Sequence, residues 1–146
     1  VMVYTMNYQG KILSTQRSRN KTNPLKWEVT GGSILTGENA EDGAIRELKE
    51  ETGLEVNYGE LIEMYKFVDD KRHCIYHGFF NYIPKEKEYE IVLQAGETMN
   101  YQFLDYDEFE ELVKSERFVK SEQGRFIRFQ SDIEKIINKY IHKNIK

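Results

Sequence analysis

Between Gly32 and Leu54 the residues are spaced in a way few folds can satisfy: Gly32, five residues, Glu38, seven residues, then Arg46-Glu47-Leu48-Lys49-Glu50-Glu51-Thr52-Gly53-Leu54. Asn39 with Asp42 three residues on predicts a capped helix start, and Gly53 stands where a left-handed residue would end the helix. Residues 39–52 therefore read as one helix, entered from a strand and a loop. On it Glu47, Glu50 and Glu51 span roughly 100° of surface, while Ala44, Ile45 and Leu48 supply the packing face. Like charges one turn apart cost roughly 0.2–0.5 kcal/mol per pair, and these lie where the helix dipole is already negative. A bound Mg²⁺ or Mn²⁺, which prefers hard carboxylate oxygens and keeps waters for a substrate phosphate to replace, turns that repulsion into a binding site. Arg46, four residues before Glu50, is placed to orient that carboxylate by a charge-assisted hydrogen bond.

The rest of the sequence bounds the setting. At 146 residues with 39% hydrophobic and 13% aromatic content, the chain suits one globular domain over residues 1–146 with a buried core. A formal charge of -4 and a pI near 5.5 argue against nucleic acid as the main partner. A small anionic ligand remains open, because a bound cation can supply the missing positive charge. The single cysteine, Cys74, excludes an internal disulfide framework and reads as a small, half-buried strand residue. No apolar run approaches the roughly 20 residues of a membrane helix, and the expected compartment is a reducing cytoplasm. Val1 already sits in a strand pattern and is not Met, so the natural chain is expected to begin earlier. A homodimer stays open.

Strand patterns cover Val1 to Thr5 and Lys11 to Gln16 around an Asn7–Gly10 turn, then Trp27 to Thr30 before Gly31-Gly32. Leu61 to Val68 and Cys74 to Tyr82 flank an Asp69–Arg72 turn, and Asn100 to Leu104 gives a further strand. Tyr106 to Val113 reads as a short acidic helix. A final amphipathic helix, about 125–142, carries Phe126, Phe129, Ile133, Ile136, Ile137 and Tyr140 at steps of three and four. Strands on both sides of helices, without regular alternation, predict an α+β fold or an α/β/α sandwich.

With these elements in place, Gly32 to Leu54 matches every fixed position of the Nudix box, the signature of hydrolases acting on nucleoside diphosphates linked to another moiety. Ile12 to Arg17, Lys26 to Gly32 and Leu93 to Phe103 resemble the flanking strands of bacterial members, so the resemblance covers residues 1 to about 115. It implies a three-layer α/β/α sandwich with a mixed β-sheet and a metal-dependent pyrophosphohydrolase, with Mg²⁺, or alternatively Mn²⁺, as cofactor. It makes Glu50 and Glu51 metal ligands, Glu47 a further ligand or the base, and the Gly31 carbonyl another ligand. Gly32, Glu38, Arg46 and Gly53 hold the motif together. Glu97, in a loop after the box, is the expected extra carboxylate.

Arg17, Arg19 and Lys21, in the loop before the box, are candidates for holding a substrate phosphate. Trp27 either stacks on a base or anchors strand against helix. The stretch Trp27 to Gly32 also resembles isopentenyl diphosphate isomerase-like proteins. True isomerases carry a catalytic cysteine and metal-binding histidines near this strand, whereas here Thr30, Gly31, Gly32 and Ser33 occupy it and Cys74, His73, His77 and His142 lie far off in sequence. The expected partner is a small nucleotide-type diphosphate. The alternatives are a Nudix-like nucleotide sensor without turnover and an RNA 5′-end pyrophosphohydrolase. Specificity is expected from Arg17 to Leu25, Pro84 to Glu90 and Phe118 to Arg125, all read as loops.

Overall fold

A computed structural model describes the backbone of residues 1–144 and the side chains of residues 1–141. β1 (Met2–Asn7) and β2 (Ile12–Arg17) form the expected hairpin. The Asn7 side-chain oxygen accepts from the N–H groups of Gln9 and Lys11, both at 3.0 Å, and Gly10 adopts φ +77° in the turn.

The strand expected over Trp27 to Thr30 is split. β3 (Trp27–Glu28) pairs with β2, whereas β4 (Thr30–Gly31) pairs with β1. Between them Val29 donates its N–H to the Glu122 carboxylate at 3.1 Å. That bond satisfies the backbone group where the chain changes partner, and it delivers Gly31-Gly32 to α1 (Ala40–Thr52).

The start of α1 carries the expected reciprocal cap between Asn39 and Asp42, and Gly53 ends it at φ +77°. β5 (Ile62–Asp69) and β6 (Cys74–Ile83) form a long antiparallel ribbon whose turn is held by the Asp69 carboxylate, accepting from the N–H groups of Lys71 and Arg72. β7 (Thr98–Leu104) starts two residues before the expected Asn100 and pairs with β2, and α2 (Tyr106–Val113) matches its pattern. β1 runs parallel to β6 while its other pairings are antiparallel, so the sheet is mixed.

Every residue of β1 is buried because helices cover both faces of the sheet. Tyr4 and Met6 meet Phe109 of α2 and Phe126 and Ile133 of α3 (Lys120–Asn144) on one face. Val3 meets Ala44 and Leu48 of α1 on the other. The result is the three-layer α/β/α sandwich. Phe109 and Phe126 pack edge-to-face at 5.8 Å and are fully buried, each contributing about 1.5–3 kcal/mol by transfer from water.

Two expectations are corrected. α3 begins at Lys120, not near residue 125, so most of the presumed loop Phe118 to Arg125 is helix. Val119 N–H donates to the Trp27 carbonyl at 2.9 Å and fixes the entry, and the burial of Glu122 and Phe126 carries the helix through Gly124, a residue that costs about 1 kcal/mol there. Cys74 is exposed, because it opens β6 at the tip of the ribbon, beyond the reach of either helical layer. Among the described residues, no helix is long and apolar enough to cross a membrane.

Candidate active site

Arg46 is the hub of the acidic helix. It grips Glu38 with a two-pronged contact, Nε to Oε2 at 2.8 Å and Nη2 to Oε1 at 3.0 Å. Its Nη1 donates to Glu47 Oε1 at 2.9 Å and to Glu50 Oε2 at 3.3 Å, and Nη2 also reaches the Ser33 carbonyl at 2.9 Å. Arg46 holds the Glu38 carboxyl below its ordinary range, and Glu38 in turn raises Arg46 further. Glu38 also closes the loop, accepting from Leu35 N–H at 2.8 Å. A Cβ on Gly32 would run into the Glu47 carboxylate, which explains the glycine at that position.

Glu51 points inward from the same helix. Its Oε2 accepts from Gly31 N–H at 3.3 Å. Burial, followed by the nearby Glu28, Glu47 and Glu122 carboxylates, pushes its pKa up to about 9. Glu122, in the first turn of α3, is buried, and burial together with Glu28 pushes it up to about 8. Four carboxylates therefore converge where Arg17, paired with Glu28 at 2.9 Å, Arg46, paired with Glu47 at 2.9 Å, and Arg125 are balancing cations.

A cavity of about 240 Å³ opens beside this cluster, walled by Arg17, Glu28, Gly32, Tyr76, Glu122 and Arg125 among others.

The expected substrate residues fall in different places. Arg17 lines the cavity, with its guanidinium held by Glu28 and by the carbonyl and hydroxyl of Thr22. Arg19 is exposed on the outer loop. Trp27 packs against the α2–α3 core and donates its N–H to the Arg117 carbonyl at 2.7 Å, the anchoring role. Lys21 is paired with Glu97, whose carboxyl it holds below the usual range. Glu97 thus engages the Arg17–Lys21 loop, its carbonyl accepting from Ser18 N–H.

Three residues at the cavity were not singled out from sequence: Glu28, Glu122 and Arg125. Glu28 carried a weak signal, a charge between Trp27 and Val29 in a buried strand. Glu122 and Arg125 lay in the Phe118 to Arg125 segment expected to set specificity but were not named individually, because only the packing of α3 on the sheet brings them to the cavity. His77, distant in sequence, also reaches the cavity wall, while the side chain of His142 lies outside the described residues.

The family model for the NUDIX domain matches residues 1–127. The chain belongs to the Nudix hydrolase family. An uncharacterized Nudix hydrolase from Listeria innocua is 28% identical over 124 residues, covering 82% of this chain and 70% of that protein. Several other curated relatives are matched over about half of their length or less. Among solved structures, a MutT protein from Methanosarcina mazei superposes with TM-score 0.65 at 21% identity, covering 90% of this chain and 91% of that one. A bifunctional NMN adenylyltransferase/ADP ribose pyrophosphatase from Francisella tularensis, complexed with AMP and a manganese ion, gives TM-score 0.61 at 17% identity over 90% of this chain and 42% of that one.

Nudix hydrolases generally use divalent metal ions, and the donor set here suits one. Glu47, Glu50 and Glu51 offer hard oxygens, and Glu51 is a partly buried carboxyl among like charges, an arrangement that a dication would relieve. Among the described residues no group of three or more acids, histidines or cysteines is drawn together closely enough to hold a metal ion by itself. An ion that keeps several waters and takes substrate oxygens needs no such cage.

Proposed function

We propose that this Nudix hydrolase is a metal-dependent pyrophosphohydrolase of small nucleotide-type diphosphates, with residues 1–146 acting as one domain in a reducing cytoplasm. The observation that carries this reading is the single ridge of α1, where Arg46 ties Glu38, Glu47 and Glu50 together while Glu51 turns inward beneath Gly31. The manganese and AMP named for the Francisella tularensis structure support it by analogy of fold.

Glu50, Glu51 and the Gly31 carbonyl would hold Mg²⁺ or Mn²⁺, with Glu97 as a further donor. The ion supplies Lewis acidity, making water a better nucleophile and neutralising charge on the leaving phosphate. Glu47 Oε2, the oxygen that Arg46 leaves unbonded, takes the proton of the attacking water. Arg46 fixes the rotamers of Glu47 and Glu50, so less reorganisation is needed when substrate arrives. Arg17, held at the cavity wall by Glu28 and Thr22, would offer its charge to the phosphate not under attack.

The test is a hydrolysis screen over nucleoside triphosphates, ADP-ribose, sugar nucleotides, dinucleoside polyphosphates and prenyl diphosphates. Phosphate or nucleotide release should require divalent metal, and E50Q and E51Q should each lower kcat by about 10²-fold or more, the scale of losing a catalytic group. Wild-type rates in both variants would refute the assignment.

A further inference from the structure

The 240 Å³ cavity beside the acidic ridge does not end at Tyr76 and Arg125. The same two residues wall a second cavity of about 270 Å³ between the β5–β6 ribbon and the first turns of α3, bordered also by Phe67, Arg72, Lys120 and Arg128. The two spaces adjoin at these residues as a trough, with acidic side chains at one end and basic ones at the other. Glu28 and Glu122 stand at the inner end, near α1. At the outer end Arg72, Lys120, Arg125 and Arg128 face a single carboxylate, that of Asp69, in a chain whose net charge is -4.

Two of the outer cations, Arg125 and Arg128, lie against aromatic rings. The Arg128 guanidinium carbon lies 3.8 Å from the Phe67 ring centroid and 5.5 Å from that of Phe129, and Phe129 stacks on Tyr65 at 4.1 Å. Arg125 lies 4.8 Å from the centroid of Tyr76. Stacking fixes the plane of a guanidinium and leaves its N–H edge available for an oxyanion. Among the described residues, neither Arg125 nor Arg128 forms an ion pair, and the nearest carboxylate to Arg72 is Asp69 at 3.9 Å. Arg125 Nε donates to the Met2 sulfur at 3.1 Å and Arg72 engages Tyr76, while Arg128, its plane set by stacking and its N–H edge facing this space, is the centre of an anion receptor with Arg72 and Lys120 beside it.

We infer that this trough holds a phosphate of the substrate beyond the pyrophosphate that is cleaved, so that the protein selects nucleotides carrying additional phosphates over those with a single pyrophosphate. This rests on the hydrolase reading above for its catalytic readout. The acidic end repels an anion unless a metal intervenes, so the scissile diphosphate belongs there, and the extra phosphate belongs at the outer arginines.

Diadenosine tetraphosphate and diadenosine diphosphate share both adenosines and differ in their phosphates. The wild type should favour the tetraphosphate by about tenfold or more in kcat/KM, the scale of one charge-assisted hydrogen bond. R72Q and R128Q should each reduce that ratio, chiefly through KM of the tetraphosphate, while R128K, which keeps the charge but not the stacked plane, should lose less than R128Q. The preference should also shrink as salt rises. An equal kcat/KM for the pair, or an undiminished ratio in both glutamine variants, overturns the inference. If neither compound is turned over, the hydrolase reading is decided by the wider substrate panel, and the trough is tested by calorimetric titration of metal-free protein with inorganic tripolyphosphate. Binding weakened about tenfold or more in R128Q supports the receptor; no binding, or equal binding in R72Q and R128Q, overturns it.

Discussion

The Arg46 guanidinium meets the Glu38 carboxylate edge to edge, with Nε–Oε2 at 2.8 Å and Nη2–Oε1 at 3.0 Å, which ties the loop before α1 to the ridge of that helix. Only the planar fork of arginine can do this and still reach Glu47 and Glu50 with its remaining N–H groups. R46K keeps the charge and loses the fork. Its kcat should fall by about ten- to a hundredfold, as misplacement of catalytic groups does, with a smaller change in KM. Steady-state kinetics with Mg²⁺, alongside a melting curve to show that the variant is folded, checks this.

Glu122 is a buried acid whose structural task is separable from its charge. Its Oε1 accepts the Val29 N–H across 93 residues of sequence, at the point where the chain passes from β3 to β4. E122A leaves that buried N–H without an acceptor and should cost about 1–3 kcal/mol. E122Q keeps the acceptor and no longer has to take up a proton on folding, so metal-free E122Q should be at least as stable as wild type near neutral pH. Urea unfolding of both variants distinguishes the two contributions.

The same crowding sets a pH dependence. Burial and neighbouring carboxylates raise Glu51 from 4.5 to about 9 and Glu122 from 4.5 to about 8 in the folded protein. A raised carboxyl pKa means that the folded state binds more protons than the unfolded state between the two values, so stability is greatest below the unfolded value and falls as pH rises through the folded one. Metal-free protein should therefore lose stability progressively from about pH 4.5 to about pH 9 through these groups. Mn²⁺ or Mg²⁺ should raise Tm more at pH 8 than at pH 5, because the ion competes with protons for the same oxygens. A metal-induced shift of equal size at both pH values would mean that these acids do not bind it.

The sequence located the ridge because every part of it is local: cap residues, helical spacing and a terminating glycine act over a turn or two. The same holds for the ribbon turn at Asp69 and the stripe of α3. What escaped was set at long range. Glu28 became a cavity wall, and the Val29 region a strand switch, only because Glu122 arrives from a helix 93 residues later. Phe118 to Arg125 read as loop since its charge, small residues and Gly124 hide a helix that tertiary burial pins in place. Trp27 shows the opposite case: its aromatic ring suggested two roles, and the fold packs it against the α2–α3 core while its backbone bonds to Arg117 and Val119.

Two glycines of the motif should respond in opposite ways to alanine. Gly53 sits at φ +77°, and a Cβ there would lie 3.0 Å from that of Val92. G53A should cost about 1–2 kcal/mol from the left-handed backbone alone, lowering stability more than it alters the metal requirement. Gly32 has no such backbone demand, and its added methyl would first meet the Glu47 carboxylate, the end of a side chain that can swing away at the cost of its bond to Arg46. G32A should therefore melt close to wild type while displacing that carboxylate and losing most of its kcat. Thermal melts and kinetics on both proteins provide the check, and a G32A enzyme with full activity would remove Glu47 from the reaction.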